Sequence, residues 1–72
     1  MLITVAAIER GIAAAGYRGV PRVGKWNPLT QFYLTAYARR YGLPAWVRGG
    51  PSPSVQDVDP RTAIYLWTEG AV

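Results

Sequence analysis

With no histidine and no cysteine in the sequence, acid–base chemistry would fall to its four carboxylates, Glu9, Asp57, Asp59 and Glu69. Asp57 and Asp59 form the one close pair. Two carboxylates could share a proton or hold a hard cation such as Mg²⁺, but a separation of two residues in a proline-flanked segment predicts turn and helix-cap roles. Zinc centres of the usual kind, thiolate nucleophiles and Ser-His-Asp triads lack their residues altogether. The expectation is a non-enzymatic protein with no cofactor, no metal ligands and no small-molecule substrate.

Two further patterns touch on binding. The run Gly11 to Gly16 is followed by Tyr17 and Arg18, where a phosphate-binding loop would need Lys and then Ser or Thr. In "YRGVPRVGKW" (17–26), Arg18, Arg22 and Lys25 alternate with Tyr17, Val20, Val23 and Trp26. Cations for phosphates interleaved with rings for bases are the composition of a nucleic-acid-binding arm. A connector that tucks its apolar side chains beneath helices has the same composition.

Charge extends this pattern. Arg10, Arg18, Arg22, Lys25, Arg39, Arg40 and Arg48 are uninterrupted by any acidic residue, and the net charge is +4. The first two thirds of the chain therefore offer a positive field to an acidic partner. Arginine predominates over lysine, and Gly, Ala and Pro are abundant, a bias expected of a GC-rich coding genome.

The stretch Trp26 to Trp46, "WNPLTQFYLTAYARRYGLPAW", holds most of the aromatic side chains. Asn27 and Pro28 start a helix there, and Gly42 with Pro44 ends it, predicting Pro28 to Tyr41. At about 100° per residue, Leu29, Phe32 and Ala36 form an inner stripe, with Tyr33, Tyr37 and Tyr41 as a ladder along its flank beside Arg40. Gln31, Thr35, Ala38 and Arg39 are left as a narrow polar back. Leu29, Phe32 and Ala36 are expected in the core, and the tyrosine ladder at a surface. Ala38 and Gly42 also have the spacing of a helix-turn-helix, but Pro44 and then Gly49-Gly50-Pro51 interrupt the place where its recognition helix would run.

On either side stand two shorter elements. Thr4 caps a helix over 5–15 that Gly16 ends, with Val5, Ile8, Ile12 and Ala15 on its apolar face and Ala7, Gly11 and Ala15 as a small-residue stripe suited to close packing. Asp59-Pro60 starts a last helix running to about Thr68, with Ala63, Ile64 and Trp67 on one face and Gly70 beyond its end. A strand over 62–68 is the rival, since "TAIYLWT" is rich in β-formers. Residues 47–58 read as a loop, and Pro51 and Pro53 lack the PxxP spacing of an SH3 ligand.

These observations predict a single domain over residues 1–72, mostly α, with about three short helices joined by Gly/Pro-rich loops; the α+β alternative makes 62–68 a strand. A chain this short buries only roughly 60% of the surface its unfolded form exposes, and it has no disulfide to compensate. A protein partner or self-assembly is therefore expected, through Trp26, Tyr33, Tyr37, Tyr41 and Arg40. The reading is a structural subunit docked on a larger assembly, with size and composition suited to a phage or other viral particle. Its rival is a small basic nucleic-acid-binding module using Arg18, Arg22, Lys25, Arg39 and Arg40 on phosphates. The opening segment has neither a basic n-region nor the length of a membrane span, so the expectation is a cytoplasmic or virion location without secretion or membrane insertion.

Overall fold

Local capping chemistry accounts for all three helices in the computed structural model, which describes residues 3–48 and 50–71. Helix α1 spans Val5–Ala14, α2 Pro28–Arg40 and α3 Pro60–Ala71, with a 3₁₀ turn at Val55–Asp57. The Thr4 hydroxyl accepts the Ala7 N–H at 3.1 Å, and the Asn27 side chain accepts those of Leu29 and Thr30, both at 3.0 Å. Both α1 and α2 close in the same way: Tyr17 N–H donates to Ile12 O and Gly16 N–H to Ala13 O, as Leu43 does to Ala38 and Gly42 to Arg39. This pairing requires a left-handed residue after the C-cap. Gly16 and Gly42 supply it at φ 106° and 66°.

Helix α3 settles the 62–68 segment as helix rather than strand. Asp59 leads it in, its carboxylate accepting the Arg61 N–H at 2.9 Å while also pairing with the Arg61 guanidinium. Helical spacing then turns Thr62, Ala63 and Leu66 inward. The expected face is corrected in part. Ala63 is buried, but Ile64 and Trp67 are 52% and 40% exposed. The reason is the closeness of α1: a Cβ on Gly11 would lie 2.5 Å from the Leu66 carbonyl oxygen, and one on Gly70 would lie 3.4 Å from the Gly11 nitrogen. No indole fits between backbones so near. Gly70 accordingly belongs to this contact instead of ending the helix, and the stripe of Ala7 and Gly11 is the packing surface its small side chains suggest.

The core gathers Ile8 and Ile12 of α1, Leu34 and Tyr37 of α2, Ala63 and Leu66 of α3, with Val20 and Val58 from the connections. Here the face of α2 is corrected. Thr30, Leu34, Tyr37 and Ala38 are buried, whereas Leu29 is 47% and Phe32 65% exposed. The helix is apolar on two sides, so periodicity alone does not choose between them. Packing does: the face carrying slim Thr30 and Ala38 beside Leu34 and Tyr37 is the one turned into the core.

The loop after α2 is tied at its base. Val47 N–H donates to Asp57 O at 2.7 Å and Asp59 N–H to Ala45 O at 3.0 Å, around an antiparallel bridge between Trp46 and Val58. Within the 47–58 loop, Gly49 lies outside the described residues. Among the described residues, no helix is long and apolar enough to cross a membrane.

Candidate interaction surface

Turning Leu34 and Tyr37 inward leaves the opposite side of α2 as an apolar surface. Phe32 stands at its centre between two shallow grooves. One, of about 510 Å³, is lined by Phe32, Thr35, Ala36, Arg39 and Arg40. The other, of about 320 Å³, runs from Phe32 and Thr35 to Trp46, Pro51 and Pro53. An exposed aromatic ring flanked by aliphatic side chains at one end and guanidinium groups at the other is amphipathic in the manner of a binding face.

Behind Phe32 a belt of rings and one cation links the helices. The Phe32 and Tyr33 centroids are 5.5 Å apart and those of Tyr33 and Tyr17 6.1 Å, in edge-on arrangements. The Arg40 guanidinium carbon lies 5.9 Å from the Tyr17 ring centre and 5.3 Å from that of Tyr41. The Arg40 Nη1–H also donates to the Ala15 carbonyl at 2.9 Å, satisfying a carbonyl at the C-terminal end of α1. Tyr41 continues the belt to Tyr65 at 5.9 Å and donates its hydroxyl to Glu69 at 2.8 Å. That bond holds the Tyr41 pKa above its ordinary value.

The residues singled out from the sequence thus have different environments. Tyr41 and Arg40 are exposed. Tyr33 is half-buried, with its hydroxyl beneath Gly19 where any Cβ would collide. Trp26 is half-buried as well; its Nε1–H donates to Pro53 O at 3.0 Å and its ring meets Trp46 edge-on at 5.9 Å, so it fastens the 47–58 loop. Tyr37, expected on the flank, is fully enclosed. Burial pushes its hydroxyl pKa well above the ordinary range, chiefly by disfavouring the phenolate. The surface residues that sequence reasoning assigned to the core are Leu29 and Phe32. Their signal was the breadth of the apolar arc on α2.

Arg18, Arg22, Lys25 and Arg39 are all exposed. Three of them ride on the 17–27 connection, which is anchored by a residue the sequence reading passed over. Glu9, only 2% exposed, accepts the Gly24 N–H at 2.8 Å and the Val23 N–H at 3.3 Å. An acid one turn from Val5 on the inner side of α1 was the available sign of such a role. The remaining carboxylates are also engaged: Asp57 accepts from Ser54 N–H and Oγ–H, Asp59 from Arg61, and Glu69 from Tyr41. The Arg61 hydrogen bonds hold the Asp59 carboxyl below the usual carboxylate range. Asp57 and Asp59 thus fill the turn and cap roles their spacing suggests.

Among the described residues, Arg61 and Asp59 form the only side-chain ion pair. The positive charges of the 10–48 region are exposed and, among the described residues, form no ion pair with a carboxylate. Compared with known proteins, the chain matches no family profile, no curated protein and no solved structure.

Proposed function

We propose that this protein is a non-enzymatic interaction subunit that docks on a larger protein assembly, such as a viral particle, through the outward face of α2. The observation that carries the reading is Phe32: a phenyl ring 65% exposed at the centre of two grooves on a domain whose core is already complete without it. Exposing such a ring forfeits about 2 kcal/mol of burial, which a partner surface would recover. Leu29 extends the apolar contact and Tyr33 and Tyr41 border it, while Trp26 contributes by holding the neighbouring loop. Tyr37 acts from within, as core.

The test is a photo-reactive phenylalanine analogue placed at position 32 of the full chain in the cells that express it. The docking reading expects a discrete protein adduct from position 32 and none from the same analogue at Arg10 on α1. Adducts of equal yield and identity from both positions would sink it.

A second reading has its own support in Arg18, Arg22, Lys25 and Arg39, exposed cations that make no ion pair among the described residues. In that reading the chain binds nucleic acid, the 17–27 connection meets phosphates and Tyr17 or Trp26 stacks on bases. It expects retardation of oligonucleotides at near-physiological salt, a shift lost in an Arg18/Arg22 double alanine variant that stays folded. In the docking reading that double variant leaves partner binding largely intact once salt is physiological.

A further inference from the structure

The charge ledger of the α2 face narrows the chemistry of what covers it. Leu29, Phe32 and Ala36 follow one another along the helix, and Arg39 and Arg40 stand one turn beyond. At about 1.5 Å per residue this strip is about 16 Å long, close to three helical turns. Its apolar part offers aliphatic and phenyl contacts, and its basic end forms no ion pair among the described residues, although Glu69, bonded to Tyr41, acts on Arg40 through space. Arg40 is held in place by Ala15 O and by the rings of Tyr17 and Tyr41. Arg39 makes no ion pair among the described residues.

We infer that the occupant of this face is an acidic amphipathic helix of a protein partner, whose apolar side chains at helical spacing meet Leu29, Phe32 and Ala36 and whose carboxylates meet Arg39 and Arg40. This rests on the docking reading above. A second copy of the chain answers the charge badly. Helix α2 carries no acidic residue, so a symmetric face-to-face pairing of two copies would bring no carboxylate from that face to Arg39 and Arg40. A nucleic acid would satisfy the arginines and leave Leu29 and Ala36, which have no flat ring to stack, against a polar backbone. An amphipathic helix satisfies both halves of the strip, since apolar anchors at i, i+3, i+4 and i+7 fill a groove while charges at one end fix its direction.

The test uses the full chain and four probes: a helical peptide with Leu and Phe at i, i+4 and i+7 followed by two Glu; its twin with Lys replacing Glu; an acidic peptide of the same composition with the apolar positions scrambled; and a single-stranded oligonucleotide. Fluorescence anisotropy at physiological salt is expected to favour the first probe over each of the others by about tenfold or more. Phe32→Ala, a change at an exposed position, is expected to weaken that probe about tenfold with an unaltered circular-dichroism spectrum. Arg39→Glu, which leaves Arg40 against a new carboxylate, is expected to abolish the preference for the Glu peptide over its Lys twin. The inference is overturned if no peptide binds, if scrambled and ordered acidic peptides bind alike, if the Glu and Lys peptides bind alike, or if the oligonucleotide binds tightest and loses its affinity in Arg39→Glu. The two levels separate cleanly. A protein adduct at position 32 together with charge-blind peptide binding leaves docking standing and removes the acidic helix; loss of the adduct removes both.

Discussion

Gly11 on α1 and Leu66 on α3 meet backbone to backbone, so that a methyl group on Gly11 would lie 2.5 Å from the Leu66 carbonyl oxygen. That carbonyl belongs to a helix and cannot swing aside like the end of a side chain. Gly11→Ala gains about 1 kcal/mol of helix propensity but forces α1 and α3 apart, and the net expectation is a loss of about 1–3 kcal/mol. Urea denaturation of the variant checks this. A rise in stability would mean that the two helices are not in close contact in solution.

The two apolar sides of α2 differ in burial, and paired substitutions tell them apart. Leu34→Ala is expected to cost about 2–5 kcal/mol, enough to unfold much of a chain this small, whereas Phe32→Ala should stay within about 0.5 kcal/mol of the parent. Thermal melts followed by circular dichroism give the order. The reverse order would turn the helix over.

Two hydroxyls, Thr30 Oγ1 and Tyr37 Oη, are buried without a hydrogen-bond partner among the described residues. Leaving such a group unpaired costs about 1–3 kcal/mol, and a replacement of similar shape removes the cost. Tyr37→Phe and Thr30→Val are therefore each expected to raise stability by about 1 kcal/mol. A clear drop in the chemical-denaturation midpoint of both variants would contradict this environment.

Asp59 gives the acid limb of stability a defined sign. Its folded pKa lies below the unfolded value because Arg61 hydrogen-bonds the carboxylate. Its contribution is then fully present above the unfolded carboxylate pKa of about 4 and is lost as pH falls through the folded value. Asp59→Asn keeps a capping side chain and removes the titration. The melting temperatures of parent and variant should converge as pH is lowered below about 4; a gap that widens toward acid would reverse the assignment.

Glu9 clamps the connection that carries Arg18, Arg22 and Lys25. Glu9→Gln preserves size but points an amide NH₂ toward Val23 or Gly24, whose N–H groups need acceptors. The expected cost is about 1–3 kcal/mol. Hydrogen exchange at Val23 and Gly24 should accelerate more than exchange in α3; unchanged protection at both amides would show that the carboxylate does not hold them.

What the sequence determined by itself was α1, α2 and most of their ends, because capping is local: Thr4, Asn27, Gly16 and Gly42 act within a few residues of where they stand, whereas 62–68 stayed open between helix and strand. Asp59 and Pro60 likewise marked the start of α3, and the stripe through Gly11 told of a close neighbour. Which side of α2 looks inward was decided only by tertiary packing. A helix carrying Leu29, Phe32 and Ala36 on one side and Leu34, Tyr37 and Ala38 on another has two apolar faces, and the choice depends on the space left by α1 and α3. The same packing turned Trp67 outward, since the Gly11–Leu66 approach leaves no room for an indole, and carried α3 through Gly70. It also gave Glu9 its partners, because nothing local relates residue 9 to the amides of residues 23 and 24. The proposed partner surface therefore centres on Phe32 rather than Tyr37, since Phe32 is the most exposed ring once Leu34 and Tyr37 fill the core.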